Sequence, residues 1–354
     1  MIPYRPELIL VQERSWKDSA THEILERLPG IETRTIPDMD TGPCSKNTLV
    51  LMHYPGQFLK NCQGSGAEMC CNYYVVSYAW NCYLECTYCV LQSYLDSDAL
   101  VVCTNIEELL AEVKGTLDQF PNRMFRIGTG ELADSLALDH ITGYSRRMVP
   151  FFASLSNGIL ELKTKSDQIA NLKDLDHHGR TIISWSMNSR RICSTEERKA
   201  AGIEARLAAA LQCQQWGYKI GFHFDPLIYY ENWESEYREV VREIFRSINQ
   251  ENVAWISLGT LRFTPHLRDL VQKRFPKSRI PYGEFIPGHH GKLRYFRPIR
   301  EEMYRKMNTW IHEEAPQVFV YLCMESRIVW ESTFGKGPYH ASSLCKRLDA
   351  VGSG

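Results

Sequence analysis

The 354-residue sequence predicts an α/β protein built on a partial (β/α) barrel of about six units. Three observations predict it. Apolar runs of strand length alternate with longer helical stretches from residue 73 onward. Cysteines, glycines and polar residues recur where those runs end, which is where parallel α/β sheets gather their functional groups. The composition, 44% hydrophobic and 23% charged, is that of a globular chain and excludes disordered, collagen-like and low-complexity architectures.

Residues 1–55 read as a small N-terminal α/β segment, with strands over Glu7–Val11 and Asn47–Met52 and a helix near Ala20–Arg27. A Cys-rich connection, 56–72, follows. The barrel strands are expected at Tyr73–Tyr78, Met124–Gly128, Ile159–Lys163, Thr181–Ser186, Lys219–Phe224 and Val253–Leu258. Thr104 with Glu107, and Ser194 with Glu197, fit capping boxes that satisfy free N–H groups at a helix start. Trp233, Tyr237, Val240, Val241, Ile244 and Phe245 recur at helical spacing within Glu231–Asn249. Gly217 stands where a glycine ends a helix. An irregular hairpin over 279–297, a helix near Ile299–Glu313 and a strand at Val318–Cys323 complete a barrel region of 73–322, and 323–354 form a weakly patterned tail.

Lys and Arg number 41 and Asp and Glu 42, a net charge of −1. Such a chain has no global field to draw in nucleic acid, so any such role must rest on a local patch. No apolar run reaches the ~18 residues of a membrane span. The N-terminus also lacks the apolar core of a signal peptide. A cytoplasmic protein without membrane contact is expected. Twelve cysteines then point to metal or redox use, because disulfide frameworks belong to short secreted domains.

The strongest signal is Cys82-Tyr-Leu-Glu-Cys86-Thr-Tyr-Cys89. Three thiolates at this spacing can converge in one loop, and thiolate softness favours an iron–sulfur cluster or zinc. A zinc knuckle completed by His53 or Cys71 is the rival, although zinc sites usually come as paired CxxC units. Cys62, Cys70 and Cys71 precede the first barrel strand and are either buried structural residues or ligands of a second metal.

The triad resembles the cluster loop of the radical S-adenosylmethionine (SAM) superfamily, including the aromatic Tyr88 before the last cysteine. Cys86-Thr-Tyr-Cys89-Val-Leu-Gln92 is similar to spore photoproduct lyase in particular. Leu138-Asp139, Thr164-Lys165, Ser186-Met-Asn188, Gly217-Tyr218, Glu231-Asn-Trp233 with Tyr237, Arg262-Phe-Thr264 and Gly291-Lys292 find counterparts in the same order, over roughly residues 73–322. The resemblance implies a [4Fe-4S] cluster on Cys82, Cys86 and Cys89, with SAM on its open iron. It implies reductive cleavage of SAM to a 5′-deoxyadenosyl radical, which takes a hydrogen from C6 of a thymine–thymine photolesion in DNA. It further implies a monomer served by an electron donor such as flavodoxin or ferredoxin. Radical modification of another nucleobase is the alternative within enzymes, and a zinc-stabilised nucleic-acid-binding module the rival outside them.

The same resemblance assigns residues. Gly128-Thr129-Gly130-Glu131 looks like the glycine–glutamate SAM motif, with Glu131 accepting from the SAM ammonium; a plain tight turn is the competing reading. Lys165, Ser186 and Asn188 match positions near the SAM carboxylate, against a solvated lysine and a turn-forming pair. His223 and Asp225 depart from the resemblance, which has aliphatic residues at these places; they alternate onto one strand face, as substrate contacts or as a structural pair. Lys292, Arg294, Tyr295 and Arg297, with Arg300 nearby, mix cations and aromatics as phosphate and base contacts do, against an ordinary solvated hairpin. Arg262 and Arg279 complete the substrate set. The family's cysteine hydrogen donor near the second strand end has no counterpart in Phe125–Glu131. Tyr88 matches one helper tyrosine, and Cys103 and Cys323 are the replacement donors to test.

Overall fold

The computed structural model describes residues 1–37, 44–62, 68–69, 71–288, 291–335 and 341–352. Cys70 lies outside the described residues. The strands are β1 (Leu8–Gln12), β2 (Glu32–Ile36), β3 (Thr48–Met52), β4 (Leu59–Asn61), β5 (Tyr74–Val76), β6 (Ala79–Trp80), β7 (Leu100–Cys103), β8 (Phe125–Gly128), β9 (Gly158–Thr164), β10 (Thr181–Ser186), β11 (Lys219–Leu227), β12 (Val253–Thr260), β13 (Arg262–Phe263), β14 (Ile286–Pro287), β15 (Leu293–Arg294) and β16 (Val320–Leu322).

The main sheet has the order β16-β12-β11-β10-β9-β8-β5-β4. All its pairings are parallel except that of β4 with β5. Parallel strands need crossover helices, which cover the outer face. Ile183, Trp185, Phe222, Phe224 and Ile256 are fully enclosed. The helix Trp233–Ser247 buries Trp233, Tyr237, Val240, Val241 and Ile244, the face its spacing predicts. Phe224 meets Tyr237 edge-on at 6.2 Å, so this side of β11 faces the helices and the alternate residues face the barrel interior.

A second sheet, β2-β1-β3-β7-β6, holds the N-terminal strands together with β6 and β7, which come from beyond residue 55. A third, β13-β15-β14, is the small antiparallel hairpin sheet. The tail forms the helices Arg327–Phe334 and Ala341–Asp349. Gly217 has φ +90° after the helix Ile203–Gln215, the backbone a glycine stop needs.

Neither capping box forms. Thr104 turns its hydroxyl to Asp18 and to the Met52 carbonyl, and the helix Ile106–Asp118 starts at Asn105 without a side-chain cap. Ser194 lies in the last turn of the helix Arg190–Thr195, whose cap is Ser189. Tertiary hydrogen bonds take Thr104 and Glu197, while the Ser194 hydroxyl bonds back to the Arg191 carbonyl of its own helix (3.0 Å).

Candidate active site

Cys82, Cys86 and Cys89 lie in the loop between β6 and a short helix, Leu91–Tyr94. The loop bends through Asn81 and Glu85, both at positive φ. Backbone contacts sew it to residues 196–199: Thr87 N–H donates to the Glu196 carbonyl (2.8 Å) and Lys199 N–H to the Leu84 carbonyl (2.9 Å). The Thr87 hydroxyl donates to the Glu196 carboxylate, which also accepts from Ser278 (2.8 Å). Gln92 donates to the carbonyls of Cys86 and Thr87, each at 3.1 Å. The position of the triad is therefore set before any ligand binds.

All three thiols are free of disulfides. Burial, then the charge of Asp134, pushes the Cys82 thiol up to about 12. Burial, then Glu197, raises that of Cys86, and burial raises that of Cys89. Opposing this, the N–H groups of Leu84 and Leu91 donate to the sulfurs of Cys82 and Cys89, and Lys46 and Lys165 add positive charge. These groups stabilise thiolate once a metal supplies the missing cationic partner. Among the described residues no three His, Cys, Asp or Glu side chains are arranged to hold one metal ion. His53 does not complete a zinc site: its Nδ1 lies 3.0 Å from Asp18 and its Nε2 3.6 Å from Glu108. Cys71 has Arg126, Tyr321 and Cys323 as neighbours instead of the triad. Three soft thiolates in one loop are a donor set for an iron–sulfur cluster.

Gly128 ends β8, and Thr129–Glu131 follow it at the C-terminal end of the main sheet. Asp134 braces the turn by accepting from the N–H groups of Leu136, Ala137 and Lys165 and from the Thr164 hydroxyl. A Cβ on Gly130 would press on Lys163 and Ser135 at 3.1–3.2 Å, so the close approach here favours glycine. Thr129 is buried and donates to Ser135 (2.8 Å). Glu131 is exposed, and its carboxylate has no protein partner among the described residues.

Glu197, which the sequence pattern assigns to a cap, is the hub beside the triad. It accepts from the Tyr88 hydroxyl, from Arg206 and from Asn188 (3.3 Å). Burial alone would raise its carboxyl, but Arg206 and then Lys165 hold it down at about 2. Lys165 stands 5.8 Å over the Tyr88 ring, near Glu197 and Cys86. Asn188 is buried, accepts from Tyr237 and donates to the Pro226 carbonyl (3.3 Å). Ser186 ends β10, and its carbonyl accepts from Arg206 (2.8 Å). The fold thus brings Tyr88, Lys165, Ser186 and Asn188 to one side of the triad.

His223 and Asp225 do not pair with each other. His223 Nε2 lies 2.7 Å from Glu161, which also accepts from Tyr73 and Ser184, both at 2.6 Å. Asp225 takes both arms of the Arg262 guanidinium at 3.1 Å, and Cys323 Sγ lies 4.0 Å from the same group. Each side chain therefore has a polar partner from another strand, as burial requires. Cys103 sits in β7 of the N-terminal sheet, fully buried.

The hairpin surface is narrower than its sequence suggests. Arg294 is held by Glu325 (3.0 Å) and Glu68 (3.9 Å), and Arg300 by Glu325 (2.9 Å). Tyr295 is buried against Phe285. Arg297 is exposed and pairs with Glu301 (3.4 Å). Arg279 and Lys292 carry no side-chain partner among the described residues, and Tyr282, Ile286 and Phe296 are exposed.

The family model of spore photoproduct lyase matches residues 18–323. The chain belongs to the spore photoproduct lyase family. It is 27% identical over 256 residues to the spore photoproduct lyase of Geobacillus sp. (strain Y412MC61), covering 70% of this chain and 75% of that protein. The Bacillus subtilis (strain 168) protein of the same name is 25% identical over 214 residues, 60% of this chain and 63% of its own length. A spore photoproduct lyase variant with bound AdoMet and dinucleoside spore photoproduct superimposes with a TM-score of 0.84 at 23% identity, over 91% of this chain and 100% of that one. A complex with dinucleoside spore photoproduct gives 0.82, with the same identity and coverage. The curled half-barrel is the radical SAM fold of this family, as the sequence resemblance implied.

Proposed function

We propose that this chain, a radical SAM lyase of the spore photoproduct lyase family, reverses a thymine–thymine photolesion in DNA. The observation that carries this reading is the convergence of the thiol triad, Tyr88, Lys165 and Asn188 around Glu197 at the mouth of a radical SAM half-barrel. Cys82, Cys86 and Cys89 would hold a [4Fe-4S] cluster. When bound, the cluster supplies the electron that cleaves SAM and so provides a 5′-deoxyadenosyl radical.

The protein's part is placement. The turn Gly128–Glu131 borders SAM, and Glu131, whose carboxylate has no protein partner among the described residues, accepts from its ammonium. Lys165 offers its ammonium to the SAM carboxylate while Glu197 keeps it charged and fixed. Ser186 and Asn188 line the same side of the site. The Asp225–Arg262 pair offers its polar edge to the substrate, and the Glu161 group closes the barrel beneath. Arg279, Lys292 and Arg297, with Tyr282 and Phe296, form the DNA-facing surface, where cations meet phosphates and exposed rings meet unstacked bases. A flavodoxin- or ferredoxin-type protein supplies electrons to a monomeric enzyme. Among the described residues no helix is long and apolar enough to cross a membrane.

The test is anaerobic incubation of reconstituted, reduced protein with SAM and UV-irradiated DNA, followed by mass analysis of nucleosides. Paired release of 5′-deoxyadenosine and intact thymidines is expected. 5′-Deoxyadenosine with a different modified nucleoside would transfer the activity to another base. One zinc per chain and no iron would make the protein a binding module.

A further inference from the structure

We propose that Tyr73 returns the hydrogen atom that quenches the product radical; the proposal rests on the photolesion-reversal reading above. Such a reaction leaves a carbon radical on the repaired thymine, and a group with a transferable hydrogen must reach it. Of the two cysteines the sequence singles out, Cys103 is enclosed in the other sheet. Cys323 follows β16, where its sulfur lies 4.0 Å from the Arg262 guanidinium. Tyr73 immediately precedes β5, and its hydroxyl occupies the space beside Gly128, the first residue of the Gly-Thr-Gly-Glu run. A Cβ on Gly128 would overlap that hydroxyl and its ring carbon, so the glycine is what lets the phenol sit there.

The surroundings suit a donor. The phenol donates to Glu161 Oε2 at 2.6 Å. Glu161 is in turn fixed by Ser184 and His223. Arg126 lies 5.7 Å from the Tyr73 ring centre. Burial, and then the charge on Glu161, raises the phenol's pKa well above its usual value, which keeps the hydrogen on the oxygen. The hydroxyl turns about its C–O bond from Glu161 towards the substrate. The O–H bond breaks as a C–H bond forms on the thymine, leaving a neutral phenoxyl radical. One electron from the low-potential donor that also reduces the cluster, and one proton delivered through the Glu161–His223 pair, restore the phenol. Each SAM consumed then accounts for two electrons and one proton.

The experiment uses full-length reconstituted protein, SAM and dinucleoside spore photoproduct in deuterated buffer. Wild type should return dithymidine carrying solvent deuterium and show a tyrosyl signal in freeze-quenched paramagnetic resonance. Tyr73→Phe should lose the signal and the deuterium, and its ratio of 5′-deoxyadenosine to dithymidine should rise by about tenfold or more. An unchanged ratio in Tyr73→Phe overturns the proposal. So does loss of coupling in Cys323→Ala while Tyr73→Phe stays coupled. Wild type that forms 5′-deoxyadenosine but no dithymidine overturns the parent reading and the donor with it. A measurement on cofactor-free protein tests the placement itself. Gly128→Ala should lower the melting temperature in the wild-type background and much less in a Tyr73→Ala background. Equal shifts in both would show that the phenol is not seated there, and would overturn the assignment.

Discussion

Glu197 and Glu161 are both buried carboxylates held near 2, yet the chain stabilises them differently. Glu197 faces full positive charges, Arg206 and Lys165, and its remaining partners are the amide of Asn188 and the phenol of Tyr88. Glu161 faces one imidazole, one alcohol and one phenol. A carboxylate locked by a guanidinium is a brace, because a guanidinium cannot give up its proton in the working range. A carboxylate shared among an imidazole and two hydroxyls can pass protons among its partners. The first sits beside the thiol triad, where geometry must hold. The second sits in the barrel interior, bonded to Tyr73, the hydrogen donor proposed above.

Breaking the triad itself should have the largest effect. Cys86→Ala should abolish cluster assembly, read as iron and sulfide after anaerobic reconstitution, and with it 5′-deoxyadenosine formation. Full iron content in this variant would place the cluster elsewhere.

Breaking the brace comes next. Arg206→Met leaves Glu197 charged and buried without its guanidinium partner, a loss of up to about 3–5 kcal/mol that Lys165, Tyr88 and Asn188 offset in part. Chemical denaturation should show it, and cluster occupancy should fall because the segment sewn to the triad loop loses its anchor. Glu161→Gln should be milder, about 1–3 kcal/mol, because neutral hydrogen-bond partners remain. Equal losses would remove the distinction between brace and relay.

Acid sharpens the same contrast. Both carboxyls bind a proton more weakly in the folded chain than in the unfolded one, where they titrate near 4.5. Their stabilisation is complete above that value and disappears as pH falls from about 4.5 towards 2. The slope of stability against pH in this window should flatten in Glu161→Gln, and an unchanged slope would mean that Glu161 is already protonated in the native state.

The strands and the triad were legible in the sequence because both are local: periodicity spans a few residues, and the three cysteines lie within eight positions. The hubs were not legible, because their partners are distant. Tyr73 reaches Glu161 across 88 positions, and Asn188 reaches Tyr88 across 100. Glu197 also matched a convincing local pattern, the capping box, and its burial overrode that pattern. Glu161 did leave a signal, a single carboxylate inside the otherwise apolar run Gly158–Leu162, where an unpartnered charge is not tolerated. The hairpin shows the opposite failure: its cations read as a free basic face because their carboxylate partners, Glu68 and Glu325, are remote in sequence.

That hairpin yields the smallest expected effect. Among the described residues Arg279 and Lys292 have no carboxylate partner, so they can neutralise phosphates, whereas Arg294 is committed to Glu325. Replacing Arg279 and Lys292 together with Gln should reduce the log–log salt slope of duplex DNA binding by about two, roughly 0.9 for each phosphate contact. Arg294→Gln should leave the slope unchanged while lowering stability, since it releases the buried Glu325 from one of its two guanidinium partners. If Arg294→Gln flattens the slope as much as the double variant does, the ion pair opens on binding DNA and Arg294 belongs to the contact surface after all.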